Sequence, residues 1–463
     1  MSFSFAVALL VGISGIFALN LYALRHLKHA LKLGRRGERI AFGVLLLSIG
    51  MLMAGRLLVD GTVGNVLVSV GFTVQLGVLI AAPLGLSSDL FRVVEWFAHR
   101  RARRTSASVE PLDDRVHESA ADDAIVPGVL QASELDRDST GSTAPDADFS
   151  IARESNESDL GTDAPSPRLS AQDSAPVNET SWFQGSLLGR RDFLSRSAAG
   201  SAVAIGGGSS AYGLVFGRVD YQIEEVPIVL PGLSRARSGY TIVQLSDIHF
   251  GDFIQDKELR SATELVRKAR ADAVVLTGDL VDHDPAFAPY LGRLVRSLEG
   301  LTRDGVFAIP GNHDHYAGVE ATMGAVRDGG GTVLKNAGHR IGGPEDGIAL
   351  LGVDDVWARR SGVGGPDLER AIADVDPHLP RVLLSHNPVF FDEAIDKVQL
   401  QLSGHTHGGQ VQLGINPAEW VLPYVKGRYE VGESQLYVNR GFGTAGPPAR
   451  IGSPPEVTKI ILV

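Results

Sequence analysis

The stretch SHNPVFFDEAIDKVQLQLSGHTHGGQ, residues 385–410, contains a histidine after a short apolar run, and then a second run that leads into a Gly-His-Thr-His-Gly-Gly turn. Alternate residues of an extended or turning segment point to different sides, so His405 and His407 can serve two different metal ions from one turn. The flanking glycines permit a close approach of the backbone. An H-x-H between glycines is by itself also compatible with a turn that carries two solvated histidines.

Polar clusters follow several other short apolar runs of the same region. These pairs of run and cluster are 241–245 before Asp247 and His249, 273–277 before Asp279, 306–309 before Asn312, His313 and Asp314, and 382–385 before His386. Helical stretches separate several of the runs, which are rich in β-branched residues. In open α/β sheets, ligand sites form outside the carboxyl ends of the strands. The sequence therefore predicts one site built from all these clusters and the H-x-H turn.

Composition narrows the chemistry of this site. The 463-residue chain has no cysteine, which excludes disulfides, a thiolate nucleophile and thiolate metal ligands. A metal must then be held by His, Asp, Glu or Asn, and imidazole with oxygen ligands suits Mn²⁺, Fe or Zn²⁺. The net charge of −11 argues against general nucleic-acid binding, and no nucleic-acid partner is expected.

Residues 1–104 are predicted to form a membrane region with about three transmembrane helices. Apolar runs cover residues 2–24, 40–58 and 63–86, and basic residues are concentrated at 25–39 and 92–104. By the positive-inside rule both basic segments are cytoplasmic, so the amino terminus faces outward and the third helix returns the chain to the inside. The alternative is a buried helical bundle in a soluble protein.

Two further segments connect this region to the rest of the chain. Residues 105–188 are rich in Ser, Asp, Glu, Ala, Pro and Thr and have no apolar period, which predicts a disordered acidic linker. Residues 189–218 begin with Gly-Arg-Arg-Asp-Phe-Leu and continue as a weakly apolar Gly/Ala-rich segment, which resembles a twin-arginine export signal in an internal position. A fourth membrane anchor and a soluble Gly-rich loop are the alternatives. A signal or an anchor here would carry the following residues to the outer face of the membrane.

Residues 219–463 have the length of one domain. Apolar β-rich runs alternate with helical ones such as 257–270, which predicts an α/β fold with parallel strands. The later runs at 348–353, 436–438 and 457–463 are more purely β-like and suggest a second sheet.

The motifs LSDIH, LTGDLVD, GNHDHY, LLSHNP and LSGHTHGGQ, in this order, resemble those of the calcineurin-like metallophosphoesterase superfamily, in the form of its bacterial membrane-associated branch. The resemblance covers roughly the last half of the chain. It implies a layered α/β/β/α sandwich that hydrolyses phosphomonoesters or phosphodiesters by attack of a metal-bridging hydroxide. It also implies two divalent metal ions, with Asp279 as the ligand that they share.

The resemblance assigns a role to each motif residue. It places Asp247, His249, Asp279 and His407 on the first metal ion, and Asp279, Asn312, His386 and His405 on the second. His313 would act on the phosphoryl group or the leaving oxygen, and Asp314 could orient its imidazole, as carboxylates commonly do for functional histidines. His283 and His315 lie beside motifs without matching a ligand position, so solvent-facing and substrate-side positions both stay open. For Arg450, a substrate-cleft position and a surface or packing role stay open.

The sequence thus predicts a membrane-anchored dinuclear phosphoesterase in a bacterial cell membrane, with its catalytic domain on the extracytoplasmic face. Membrane attachment makes a phospholipid or a cell-envelope phosphate a plausible substrate. The alternative is a metal-loaded ligand-sensing module coupled to the membrane helices. A transport pathway through the helices is disfavoured because their interiors contain few polar groups.

Overall fold

Two six-stranded sheets occupy the carboxy-terminal part of the computed structural model, which describes residues 3–57, 61–106 and 190–463. In chain order the described strands are β1 Gln222–Ile228, β2 Tyr240–Leu245, β3 Ala273–Thr277, β4 Val306–Ile309, β5 Thr332–Val333, β6 Ala337–Ile341, β7 Ile348–Gly352, β8 Arg381–Leu384, β9 Leu400–Ser403, β10 Gly427–Val431, β11 Ser434–Val438 and β12 Glu456–Leu462. The first sheet has the order β1-β12-β2-β3-β4-β5, and the second has the order β10-β11-β9-β8-β7-β6.

Helices precede the sheets and lie between many of their strands. In chain order the described α-helices are α1 Phe3–Leu31, α2 Arg35–Leu57, α3 Gly61–Ser106, α4 Arg190–Val215, α5 Asp256–Ala269, α6 Ala288–Glu299, α7 Asn312–Tyr316, α8 Val319–Asp328, α9 Val356–Ser361, α10 Leu368–Ala373 and α11 Phe391–Ala394. Helix α5 corresponds to the helical run predicted at 257–270. It begins with a capping box between Gln255 and Glu258, and the helix face that contains Val266 is buried.

The central strands run parallel, which brings their carboxyl ends to one edge of each sheet. Strands β2, β3, β4 and β5 are parallel neighbours in the first sheet. Strands β7, β8, β9 and β11 are parallel neighbours in the second sheet. Parallel strands need crossover connections, and α5 and α6 supply them between β2, β3 and β4. The polar clusters that follow these strands therefore meet at shared sheet edges.

The main hydrophobic core lies between the two sheets. Ile242 and Val275 of the first sheet belong to the same buried cluster as Val382 and Leu402 of the second sheet. The opposite face of the first sheet packs on α5, α6 and α8, and the opposite face of the second sheet packs on residues of α9 to α11. Strands covered on both faces read as continuous apolar runs, as these do. The predicted layered α/β/β/α sandwich is confirmed.

One predicted strand belongs to a different sheet from the one expected. The runs at 348–353 and 436–438 do form strands of the second sheet, as β7 and β11. The run at 457–463 instead forms β12, which pairs in parallel with β1 and antiparallel with β2. The end of the chain thus completes the first sheet, because its apolar residues fill the position between β1 and β2.

Two of the described helical segments are long and apolar enough to cross a membrane: Arg35–Gly55 and Val63–Leu86. The first predicted span, 2–24, forms part of α1, but the side chains of residues 1–13 lie outside the described set. Helix α4 covers most of the predicted segment 189–218. The predicted linker at 105–188 lies outside the described residues apart from its first two positions.

Contacts on either side of the span Val63–Leu86 of α3 show how this helix meets the sheets and α1. The described residues up to 96 and those from 190 onward belong to one compact unit. Within this unit, Asn65 Nδ2 near the start of α3 donates to the backbone oxygen of Asp252, 2.9 Å away. Further along α3, just beyond the span Val63–Leu86, the Asp89 carboxylate lies 3.3 Å from His26 Nε2 and 4.0 Å from Arg25 Nη2. The basic residues of α1 therefore lie away from the sheet-facing end of α3.

Candidate metal centre

The structure brings the predicted polar clusters together at the carboxyl ends of the central strands. Asp247 and His249 follow β2, Asp279 follows β3, Asn312 and His313 begin α7 after β4, His386 follows β8, and His405 and His407 follow β9. Their side chains form overlapping groups in which the potential ligand atoms of the His and Asp residues lie within 4.8 Å of one another. The site thus draws on both sheets, which explains why its residues span about 160 positions of sequence.

Two ligand clusters meet at one carboxylate. In the first cluster, His407 Nε2 lies 3.4 Å from Asp247 Oδ1 and 3.1 Å from His249 Nε2. In the second cluster, His386 Nε2 lies 3.1 Å from His405 Nδ1. Asp279 Oδ2 lies between them, 3.1 Å from His386 Nε2 and 3.7 Å from His249 Nε2.

The chemistry of these atoms fits bound divalent cations. Each cluster holds a pair of imidazole nitrogens 3.1 Å apart, and in the neutral form each ring would have one lone pair to direct at a cation. Asn312 Oδ1 is buried and has no hydrogen-bond partner among the described residues, although a buried amide oxygen normally has one. A cation beside Asn312 would satisfy that oxygen. Buried carboxylates, imidazoles and an amide oxygen are together a ligand set for Mn²⁺, Fe or Zn²⁺.

The backbone at this site is held in conformations that L-residues rarely adopt. Of the ten described non-glycine residues with positive φ, five are predicted ligands. They are Asp247, His249, Asp279, His405 and His407, with φ between 50° and 74°. Each such residue costs on the order of 1 kcal/mol or more, and strain of this kind is concentrated at functional sites. Sharp turns directly after each strand aim these side chains at a common centre.

Two glycines allow the site to close around its carboxylates. A Cβ atom on Gly404 would lie 2.2 Å from Asp247 Oδ2, and a Cβ on Gly311 would lie 2.4 Å from Asp279 Oδ1. Because Gly404 has no side chain, the N–H of His405 can donate to both carboxylate oxygens of Asp247, at 2.9 and 3.0 Å. The N–H of His313 donates to Asp279 Oδ1 at 2.8 Å. These backbone contacts fix both carboxylates before any ligand is bound.

The electrostatics of the site favour ionised carboxylate beside imidazole. Burial alone would raise the pKa of Asp279, but the neighbouring histidines, His386 foremost, hold it well below its usual range. Burial would lower the pKa of His386, but the Asp279 charge raises it well above its usual value. Burial lowers the pKa of His405, and the charge of His386 adds to this effect. Burial and the charge of Arg450 hold the pKa of His407 well below its usual value.

Asp282 is a site residue that the sequence reasoning missed. Its Oδ1 lies 3.0 Å from His313 Nδ1 and 3.4 Å from His249 Nδ1, and its backbone oxygen lies 2.8 Å from His313 Nδ1. Burial alone would lower the pKa of His313, but the hydrogen bond to Asp282 outweighs it and raises the pKa to about 9. The Asp282 carboxylate thus favours the protonated form of the His313 ring. The LVD tail of the second motif, which ends at Asp282, is the signal that could have pointed to it.

The role predicted for Asp314 needs correction. Its carboxylate accepts hydrogen bonds from the backbone N–H groups of Leu280 and Val281, both at 3.0 Å, and of Gly311 at 2.8 Å. Burial and the charge of Asp279 raise its pKa to about 6. Asp314 thus ties the loop after β3 to the loop after β4, and Asp282 is the carboxylate that contacts His313. The reason is geometric, since helix α7 points the side chain of its third residue back to its own first turn.

The open positions near the motifs are resolved by their contacts. His283 is about half exposed and pairs with Asp282, whereas His315 is buried against Asp354, 2.7 Å away. Arg450 is fully buried and donates to the backbone oxygens of Gly441, Gly443 and Ser453. Its Nη2 also lies 3.0 Å from His407 Nδ1. Arg450 therefore packs beneath the site and fixes the orientation of the His407 ring.

Comparison with known proteins gives a consistent result. Residues 240–409 match the family model of calcineurin-like phosphoesterases. The chain is 31% identical over 293 residues to YkuE, an uncharacterized metallophosphoesterase of Bacillus subtilis (strain 168), covering 59% of this chain and 98% of that protein. It is 32% identical over 225 residues to an uncharacterized metallophosphoesterase of Aquifex aeolicus (strain VF5), covering 48% of this chain and 84% of that protein. It is 34% identical over 267 residues to a transmembrane protein with metallophosphoesterase domain of Danio rerio, covering 55% of this chain and 60% of that protein.

Proposed function

The chain belongs to the calcineurin-like phosphoesterases and is a metal-dependent phosphoric ester hydrolase, and from this premise we propose that it is a membrane-anchored enzyme with a dinuclear metal centre. The observation that carries the proposal is the position of Asp279 Oδ2, between His386 of one ligand cluster and His249 of the other. A carboxylate in this position can serve two cations, as in two-metal phosphoesterases.

The proposed ligands fall into two sets that share Asp279. One set is Asp247, His249, Asp279 and His407, and the other is Asp279, Asn312, His386 and His405. When bound, a pair of cations supplies a water of lowered pKa and positive charge for the phosphoryl oxygens. The protein holds both sets of side chains in place through the backbone contacts to Asp247 and Asp279.

His313 is the proposed general acid. Asp282 holds its ring at Nδ1, so Nε2 is the atom left to donate a proton to the leaving oxygen of a phosphoester. Its ring meets the His249 ring edge-on with centroids 4.6 Å apart, which places it beside the first ligand set. Its side chain is 25% exposed, so a substrate can reach it, whereas the His249 and His386 side chains are almost fully buried.

Metal content and activity of the purified full-length chain test this proposal. We expect about two bound metal ions per chain, and hydrolysis of chromogenic phosphomonoesters or phosphodiesters that stops on chelation and returns with Mn²⁺, Fe²⁺ or Zn²⁺. A single bound ion in the fully active protein would overturn the dinuclear assignment. Bound metal without turnover of monoesters, diesters or lipid head groups would favour the ligand-sensing module instead.

The proposal extends to the membrane and to the side of it on which the enzyme lies. Helices α2 and α3 hold the two candidate spans, and the segment at 189–218 acts as a twin-arginine-like signal or as a further anchor. Asn65, which contacts the loop after β2, and Asp89, which contacts the basic residues of α1, lie at opposite ends of the span Val63–Leu86, which supports an extracytoplasmic catalytic domain in a bacterial cell membrane. A phospholipid or another cell-envelope phosphate is then within reach.

Cysteine labelling of intact cells tests this orientation, since the chain has no cysteine of its own. A Glu433→Cys variant, exposed between β10 and β11, should react with a membrane-impermeant maleimide in intact cells. A Gly34→Cys variant, between α1 and α2, should react only after lysis. The reverse pattern would place the catalytic domain in the cytoplasm.

A further inference from the structure

An exposed apolar segment follows the H-x-H turn. Five large apolar side chains within ten residues face solvent: Leu413, Ile415, Trp420, Val421 and Leu422. Trp420 is 73% exposed and Val421 is 79% exposed. Single exposed apolar residues are ordinary on protein surfaces, but a contiguous patch marks an interaction site. Residues 411–422 are called the apolar loop below.

The apolar loop is held in shape by its own polar groups. Asn416 is buried, donates from Nδ2 to the backbone oxygen of Gly408 at 3.2 Å, and accepts from the N–H of Ala418. Gln412 Nε2 donates to the same Gly408 oxygen at 2.6 Å. Gly408 directly follows His407, so the loop is fixed to the backbone of the candidate metal centre. The loop therefore exposes its apolar side chains while these hydrogen bonds fix its backbone.

The base of the apolar loop packs on the more apolar of the two candidate spans. Val411 forms a β-bridge with Ile451, and both belong to a cluster with Leu76 and Ile80. Leu76 and Ile80 lie within the span Val63–Leu86 of α3. If that span crosses a bilayer, the exposed residues of the apolar loop, which continue from this packed base, lie where the same lipid can reach them.

A second segment with exposed aromatic residues reaches the same place. Tyr212 and Val215 at the end of α4 are exposed, and so is Phe216, which directly follows the helix. The Gly213 carbonyl in the same segment accepts a hydrogen bond from the N–H of Arg450 at 3.1 Å. The residues around Ile451 are therefore flanked by the apolar loop on one side and the end of α4 on the other. Trp and Tyr are the residues enriched where a membrane meets water.

From this arrangement we infer that the apolar loop inserts into the surface of the bilayer that α3 crosses, so that the metal centre receives the phosphoester head group of a lipid in that same bilayer. The inference rests on the proposed function; it commits the substrate to a lipid phosphoester and adds the surface that presents it. The bilayer is favoured over a protein partner because the patch is continuous with the apolar helix through Val411 and Ile451. Hydrolysis adds water across a P–O bond and needs no further reactant.

A comparison of two substrates tests the inference with the full-length chain in lipid nanodiscs. A double variant, Trp420→Ser with Val421→Ser, should lower kcat/KM for a lipid phosphoester about tenfold or more through KM. The reason is that the variant loses the apolar surface that the loop would bury in the bilayer. Turnover of a soluble chromogenic ester should stay close to that of the unmodified chain. The matched control is Val363→Ser with Val431→Ser, which removes two exposed valines outside the apolar loop and should change neither rate.

Fluorescence locates the loop independently of activity. Brominated-acyl lipids should quench part of the tryptophan emission, and Trp420→Phe should remove that part. Unquenched Trp420, or an equal loss on both esters in the Ser variant, would overturn the inference while the proposed function stands. A variant that turns a dimer into a monomer, with Trp420 unquenched, would assign the patch to a second copy of the chain and overturn it too. Failure of the unmodified chain to hydrolyse either ester would overturn the proposed function and this inference with it.

Discussion

Replacing Asp279 with asparagine should remove bound metal from both ligand sets and reduce hydrolysis about 10³-fold or more. The carboxylate lies 3.1 Å from His386 Nε2 and 3.7 Å from His249 Nε2, so it contacts both sets. An amide keeps the shape but loses the charge, and several kcal/mol of charge stabilisation correspond to this factor at 1.36 kcal/mol per tenfold. Metal analysis of the purified variant, with its rate on a chromogenic ester, gives both quantities.

Asp272 provides the matched control because it lies at the opposite end of the same strand, β3. Its carboxylate accepts from the N–H of Thr241 at 2.8 Å and pairs with Arg303, far from the metal centre. Asp272→Asn should lower stability slightly and leave metal content unchanged. Two bound metal ions in Asp279→Asn would show that the sets do not share this residue.

Replacing His313 with glutamine should leave metal binding intact and lower the turnover rate by about 10²–10⁴-fold, the usual contribution of a positioned acid or base. His313 belongs to neither proposed ligand set, and its Nδ1 side is occupied by Asp282. The loss should be smaller for an ester with a good leaving group, because such a group needs no proton. Metal content and rates on two esters of different leaving-group pKa measure the effect.

Two further variants separate this role from a loss of structure. His378→Gln changes an exposed histidine and should have no effect. Asp282→Asn keeps the His313 imidazole but removes the charge that orients it, so the turnover rate should fall by an intermediate factor, about 10–100-fold. Loss of metal from His313→Gln equal to that from Asp279→Asn would show that His313 is a ligand and not an acid.

The site was largely predictable because its residues follow buried strands in sequence. Asp247, Asp279 and His386 each come directly after a continuous apolar run, and such runs read as central parallel strands. The Gly-rich H-x-H turn indicated a close backbone approach, and Gly404 provides it beside Asp247. Strand order and residue chemistry were thus enough to predict which side chains share a centre.

Contacts that depend on local turns were beyond the sequence. Asp314 directly follows His313, and Asp282 precedes it by 31 residues. The geometry of the short helix α7 directs Asp314 away from the His313 ring, and Asp282 contacts the ring instead. The sheet membership of β12 also depended on a long-range pairing with β1 and β2. Nothing in the sequence around Arg450 predicted its burial, because an arginine is ordinarily a surface residue.

Arg450 connects helix α4 to the candidate metal centre. Its backbone N–H is bound by the Gly213 carbonyl of α4, and its guanidinium lies against His407. A protease that cuts between Gly213 and β1 would remove this carbonyl and leave every proposed ligand in the released domain. The released enzyme should hold metal only slightly more weakly, because the guanidinium keeps its contacts to Gly441, Gly443 and Ser453. The metal content of shed and anchored protein would measure the difference.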